Sequence, residues 1–243
     1  MSMTPDNPFT KMQKKFYEEE AAKWSPNGDE RDYVVGSFDA HNMHKDYALL
    51  FDGIDTKEMV ALDFGCGPGR GIVQYSDLFK TIDGIDISKN NLDNAEAWAC
   101  QNEILIPHLY LTNGVDLCEV PTEEYDLVYS TICLQHIPVH EIRYNLFKEF
   151  YRVLKPDGYL TFQMGFGDDG QVGWVDYNAN NYEAEGTNGA CDVKVTAPYE
   201  LVADLEEIGF KDCSWQIRWK GPFDRHPYWI FFRCRKITKE EKE

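Results

Sequence analysis

Short apolar runs rich in β-branched and aromatic residues alternate, from about residue 58 to residue 208, with stretches whose apolar positions recur three and four apart. Residues 59–63, 82–86, 108–112, 126–131 and 159–164 read as strands. Strands separated by helical patterns imply a parallel sheet, an α/β architecture with helices on its faces. Ser88 stands where a helix running through Cys100 needs its N-cap. Ile142, Leu146, Phe150, Val153 and Leu154 give residues 141–154 one apolar helical face, and Lys155, Pro156, Asp157 and Gly158 stop it.

Residues 165–196 break the alternation, because Gly167, Gly170, Gly173, Gly186 and Gly189 punctuate them around Trp174, Tyr177 and Tyr182. An irregular stretch of that length is either functional or disordered. A helix over 198–208 follows. Two aromatic runs, 212–219 and 228–235, then read as an antiparallel hairpin at one edge of the sheet. Before the first strand lie nearly sixty residues of helical character, with candidates over 11–23 and 38–51.

Composition narrows the reading. The 243 residues, 43% of them hydrophobic, suffice for one domain with a sizeable core. Against 42 Asp and Glu stand only 24 Lys and Arg, a net charge of −18, and no dense basic block offsets it. We therefore expect no nucleic-acid partner. No apolar stretch reaches ten residues and the first ten are polar without a leader pattern, so we expect no membrane span and a cytoplasmic protein. Seven cysteines (66, 100, 118, 133, 191, 213 and 234) form no C-x-x-C pair. They suggest neither a disulfide framework nor zinc, and are expected to be reduced and mostly buried.

The chemistry is concentrated where the first strand ends, in the run Val60-Ala61-Leu62-Asp63-Phe64-Gly65-Cys66-Gly67-Pro68-Gly69-Arg70-Gly71. Glycines at a strand-to-helix turn let backbone approach a ligand and expose amide donors at a helix start. Gly65, Gly67 and Gly69 are spaced G-x-G-x-G, whereas a dinucleotide fingerprint wants a glycine where Arg70 stands. A pyrophosphate is disfavoured. Asp63 points the same way: a carboxylate there repels phosphate and attracts an ammonium or sulfonium group. Asp86 ends the second strand, where a doubly wound sheet sets a carboxylate against a ribose, and its two oxygens could accept both hydroxyls. Asn113, Gly114 and Val115 follow the third strand, where an adenine edge would lie.

Taken together, these segments resemble the class I S-adenosylmethionine-dependent methyltransferases, of small-molecule type, over roughly residues 58–235. Residues 125–137 are similar to that family's fourth-strand segment, and Arg152-Val153-Leu154-Lys155-Pro156-Asp157-Gly158-Tyr159 to its helix-to-fifth-strand turn. The resemblance implies a Rossmann-like, doubly wound, mostly parallel sheet of seven strands with one antiparallel. It implies an N-terminal helical extension or cap over 1–57 and a methyltransferase domain over 58–243, with a lid-like insertion at about 165–197. S-adenosyl-L-methionine is the implied cofactor and S-adenosyl-L-homocysteine the product. Asp63, Gly65, Cys66, Gly67 and Gly69 would meet the methionine moiety, Asp86 and Ile87 the ribose, and Asn113, Gly114 and Val115 the adenine. Asn113 departs from the acid that many relatives carry there.

His136, just beyond the fourth strand, either accepts a substrate proton or bonds a backbone carbonyl; the first role makes it the catalytic candidate. His41 and His44 share a helical face, but without a third ligand they read as solvated or core residues, and no metal is expected. Trp174, Tyr177 and Tyr182, interleaved with Asn178, Asn180 and Asn181, have the composition of a lid over a polar substrate. Tyr17 and Trp24 read as packing residues. The expected reaction is O- or N-methylation of a small polar metabolite, a sugar or an amine. Two rivals stand beside it: a non-catalytic cofactor-binding module and a nicotinamide-dependent oxidoreductase.

Overall fold

A computed structural model describes residues 3–23, 45–105, 107–167, 174–183, 192–219 and 228–237. Helix α1 (Pro8–Ala21) precedes strand β1 (Val60–Phe64), helix α2 (Arg70–Tyr75), β2 (Thr81–Asp86), α3 (Lys89–Gln101), β3 (Leu109–Leu111) and β4 (Tyr125–Ser130). Helix α4 (His140–Val153), β5 (Leu154–Phe166), β6 (Trp174–Asp176), β7 (Asp192–Val195), α5 (Pro198–Ile208), β8 (Lys211–Trp219) and β9 (Tyr228–Arg235) complete the chain.

The first five strands are parallel and lie in the order β3-β2-β1-β4-β5. Strand β9 runs antiparallel to β5 from Tyr159↔Arg235 to Phe166↔Tyr228, and β8 runs antiparallel to β9 at the edge. This is the expected doubly wound sheet, seven strands with β9 the antiparallel one. It has two strands more. Within the stretch expected to be irregular, β6 and β7 pair in parallel, and β7 extends the sheet by joining Gly165 and Phe166 on the side of β5 away from β9.

Period-two alternation sorts the central strands between two cores. Leu62, Phe64 and Val128 join Phe147, Phe150 and Phe162 on the α4 side, while Ala61, Leu127 and Tyr129 join Ile72, Tyr75 and Phe79 on the α2 side. Phe150 is wholly buried with its ring 4.8 Å from that of Phe64, and truncating such a side chain costs about 3–5 kcal/mol. Helix α3 starts where its cap predicts, since Ser88 Oγ accepts from the Asn91 amide at 3.1 Å. Helix α4 ends at Val153, before Pro156.

Of the second N-terminal candidate, residues 38–44 lie outside the described residues, and Lys45–Leu50 forms a 3-10 helix rather than an α-helix. His41, His44, Trp24 and Cys191 also lie outside. Cys66 and Cys234 are buried, Cys133 and Cys213 half-buried, and Cys100 and Cys118 exposed, so burial is less general among the thiols than expected. Among the described residues no helix is long and apolar enough to cross a membrane.

Candidate active site

Because β1 and β2 are parallel neighbours with Asp63 in register with Gly84, their C-terminal ends deliver Asp63 and Asp86 to one edge of the sheet. A cleft opens there, between the ends of these strands and the glycine turn. Of the residues the sequence singled out, Asp63, Gly65, Cys66, Gly67, Asp86, Ile87, Gly114 and His136 all line it.

Gly67 leaves the cleft wall bare. Its φ is +51°, and a β-carbon there would meet nothing within 4 Å, so the missing side chain faces open space. Gly65 and Gly69 have different work. A β-carbon at Gly65 would lie 2.3 Å from Cys133 Sγ, and one at Gly69 would lie 3.0 Å from the Ala95 backbone on α3. Gly69 therefore seats the turn against a helix and does not line the cleft.

Asp86 is nearly filled by the chain itself. Oδ1 accepts from the Ser88 amide at 2.9 Å and Asn91 Nδ2 at 3.2 Å, and Oδ2 accepts from the Gly67 amide at 2.9 Å. A carboxylate offers about four acceptor sites. Both carboxylate oxygens thus accept hydrogen bonds from the chain itself, while Asp86 still lines the cleft. Burial raises the acid's pKa, against these hydrogen bonds, which lower it.

Asp63 is the opposite case. It is 2% exposed and its Oδ1 has no hydrogen-bond partner among the described residues. Burial pushes its pKa up to about 7, although the Tyr129 hydroxyl and the Arg70 guanidinium pull it down. A carboxyl so buried is either held protonated or paired with a cation, and the Arg70 guanidinium is one cation already acting on it. Arg70, also on the cleft wall, is the guanidinium where a dinucleotide site would carry glycine, and burial lowers its own pKa.

The expected adenine segment divides. Gly114 lines the cleft, but Asn113 spends its side chain locally: Oδ1 accepts from the Val115 and Asp116 amides at 2.9 and 3.0 Å, and Nδ2 donates to Asp116 Oδ1 at 2.7 Å. Val115 is 3% exposed and packs in the α4-side core. Neither Asn113 nor Val115 lines the cleft.

Helix α1 lies against the opening. Gln13 and Tyr17 line the cleft, and Gln13 Nε2 donates to the His136 carbonyl at 2.9 Å. Tyr17, expected to pack rather than to catalyse, therefore sits on the cleft wall, on a segment also expected to be able to close over a cofactor. Glu18 fastens the helix: its Oε2 accepts from Ser88 Oγ at 2.5 Å and the Asn90 amide at 3.3 Å, and Asn94 Nδ2 donates to the Ala21 carbonyl at 3.2 Å. No sequence signal singles out Gln13 or Glu18. Asn91 could have been found, being three residues past the Ser88 cap and one turn beyond Asp86.

In the described part of the insertion expected to form a lid, the aromatic and amide side chains bond to neighbouring helices. Tyr177 donates to Asp204 Oδ2 at 2.6 Å, Tyr182 to Glu141 Oε2 at 2.8 Å, and Asn178 to Glu200 Oε2 at 2.8 Å. Asn180 Oδ1 accepts from the Glu141 amide at 2.8 Å. Wholly buried Arg143 donates to the carbonyls of Ile137 and Tyr177. These side chains pin residues 177–182 to α4 and α5, and none of Tyr177, Asn178, Asn180 or Tyr182 is among the residues lining the cleft.

Residues 62–162 match the family described as Methyltransferase domain. Over those residues the chain is similar to a methyltransferase domain. It is 32% identical over 111 residues to phosphoethanolamine N-methyltransferase 2 of Caenorhabditis elegans, a match covering 44% of this chain and 24% of that protein. The phosphoethanolamine N-methyltransferase 2 of Haemonchus contortus, solved with phosphomonomethylethanolamine and S-adenosylhomocysteine, superposes with a TM-score of 0.61 at 18% identity, over 81% of this chain and 54% of that one. The (4+2)-cyclase SpnF superposes with a TM-score of 0.65 at 15% identity, over 96% and 97%. The chain thus matches 24% of the first of these proteins and 54% of the second, and at 18% and 15% identity the structural likenesses show a shared fold.

Proposed function

We propose that this chain binds S-adenosyl-L-methionine in the cleft and methylates an oxygen or nitrogen of a small polar metabolite. The observation that carries the reading is Asp63: a buried carboxylate with an unpartnered oxygen, beside a glycine turn whose open side admits a ligand. Bound there, S-adenosyl-L-methionine would supply a methyl group on a cationic sulfur.

The chain's own residues supply the rest. Asp63 attracts the cationic amino-acid end, Asp86 Oδ2 accepts one ribose hydroxyl, and Gly114 and Ile87 bound the nucleoside. Helix α1 excludes water through Gln13 and Tyr17. His136, on the wall of the same cleft, takes the proton of the attacking hydroxyl or ammonium. Alignment is the main contribution the protein makes, worth as much as ~7–11 kcal/mol in favourable cases.

The test is incubation of purified protein with methyl-labelled S-adenosylmethionine and a metabolite extract, read by mass spectrometry. We expect a labelled small molecule whose formation falls at least 100-fold in His136→Asn. Cofactor binding without labelled product would favour the non-catalytic module instead, and the SpnF likeness is a reminder that this fold hosts proteins of other names.

A further inference from the structure

The turn after β4 holds a residue in a conformation its side chain resists. Ile132 has φ of +54°, in the left-handed region that β-branched residues almost never enter. Such strain persists only where the surroundings over-determine it. Gln163, wholly buried on β5, does so: its Oε1 accepts from the Ile132 amide at 3.0 Å while its Nε2 donates to Gln135 Oε1 at 3.2 Å. Two further elements grip the same turn, α1 through Gln13 at the His136 carbonyl and α4 through Arg143 at the Ile137 carbonyl. Thr131, Ile132, Cys133 and His136 then stand together on the cleft wall, on the segment that carries the proton acceptor.

We propose that Gln163 is a positioning residue that keeps Ile132 in its left-handed conformation, and that Ile132 is a specificity-determining residue of the acceptor site. The inference rests on the transferase reading above. Ile132, Cys133 and Ile137 line the cleft together with His136, so an acceptor whose nucleophilic oxygen or nitrogen is flanked by an uncharged carbon frame, such as a phenol or aralkyl amine, fits better there than one carrying a phosphate. A glycine at 132 would relax the turn and remove that side chain together. Methionine at 163 fills a similar volume but leaves the Ile132 amide without its acceptor.

The experiment compares wild type, Ile132→Val, Ile132→Gly and Gln163→Met. Its readouts are methyl transfer to a panel of phenols, aralkyl amines, amino sugars and phosphoethanolamine, the Kd for S-adenosylhomocysteine, and the melting temperature. We expect wild type to prefer the phenols or aralkyl amines, and Ile132→Val to match it within threefold. Ile132→Gly should lose at least tenfold in turnover and change the rank order of acceptors, with Kd within threefold and melting temperature within about 4 °C. Gln163→Met should show the same loss; if it does not fold, Ile132→Gly alone decides. Turnover within twofold and an unchanged rank order in Ile132→Gly would overturn the inference while leaving the transferase reading intact. A wild-type preference for phosphoethanolamine or for an amino sugar would also overturn it. Wild type that binds S-adenosylhomocysteine but methylates no acceptor overturns it as well, and wild type that does neither overturns both readings.

Discussion

A β-carbon on Gly71 would stand 2.6 Å from Asp63 Oδ2 and 3.2 Å from the Tyr129 hydroxyl, so the carboxylate occupies space that only glycine leaves open. Gly71 sits inside α2, where alanine is the better helix former by roughly 1 kcal/mol. Propensity alone predicts that Gly71→Ala stabilises the protein. Displacement of Asp63 predicts that S-adenosylmethionine affinity falls at least tenfold with the circular dichroism spectrum unchanged, and titration calorimetry checks which effect governs.

Asp63 also sets a pH dependence. Its pKa rises from 3.8 to about 7 on folding, so between those values the native state binds more protons than the unfolded one. Its contribution to stability therefore falls as pH rises through that window. A cationic ligand needs the ionised form, and its binding should weaken as pH drops below about 7, approaching tenfold per pH unit at the limit. Calorimetry from pH 5.5 to 8.5 should show this slope in wild type and its loss in Asp63→Asn.

Glu18 ties α1 to the first turn of α3, one hydrogen bond away from Asp86 through Ser88. Glu18→Ala removes acceptors for the Ser88 hydroxyl and the Asn90 amide, worth roughly 1–2 kcal/mol together. Stopped-flow fluorescence should show cofactor dissociating about 5–30-fold faster, with the melting temperature lower by a few degrees.

The insertion gives the contrary expectation. Tyr177→Phe leaves Asp204 one donor short in a partly buried site beside His140, and Arg143→Met strips donors from two buried carbonyls. Each unsatisfied group costs about 1–3 kcal/mol. Thermal melts should record the loss, most in Arg143→Met, while the S-adenosylhomocysteine Kd of Tyr177→Phe stays within threefold of wild type.

The sheet was legible because its signals are local. Apolar runs, the Ser88 cap and the stop at Pro156 each act within a few residues, and the glycine turn with Asp63 and Asp86 follows from where parallel strands end. What was not legible depends on long-range partners. Asn113 has the right chemistry for an adenine edge, but its side chain closes a turn on Asp116 instead. Tyr177 and Tyr182 have lid composition, yet acids on α4 and α5 claim their hydroxyls. Tyr17 looks like packing until α1 is laid against the cleft, and the strain at Ile132 has no sequence signature at all, because a buried glutamine thirty-one residues away imposes it.

The central claim is that the bend after Asp63 holds a cationic nucleoside rather than a dinucleotide. Titration calorimetry at pH 8 with S-adenosylmethionine and with NADH, on wild type and Asp63→Asn, tests it most directly. The account predicts a saturable isotherm for S-adenosylmethionine in wild type, at least tenfold weaker in Asp63→Asn, and no heat with NADH; binding of NADH but not of S-adenosylmethionine would contradict it.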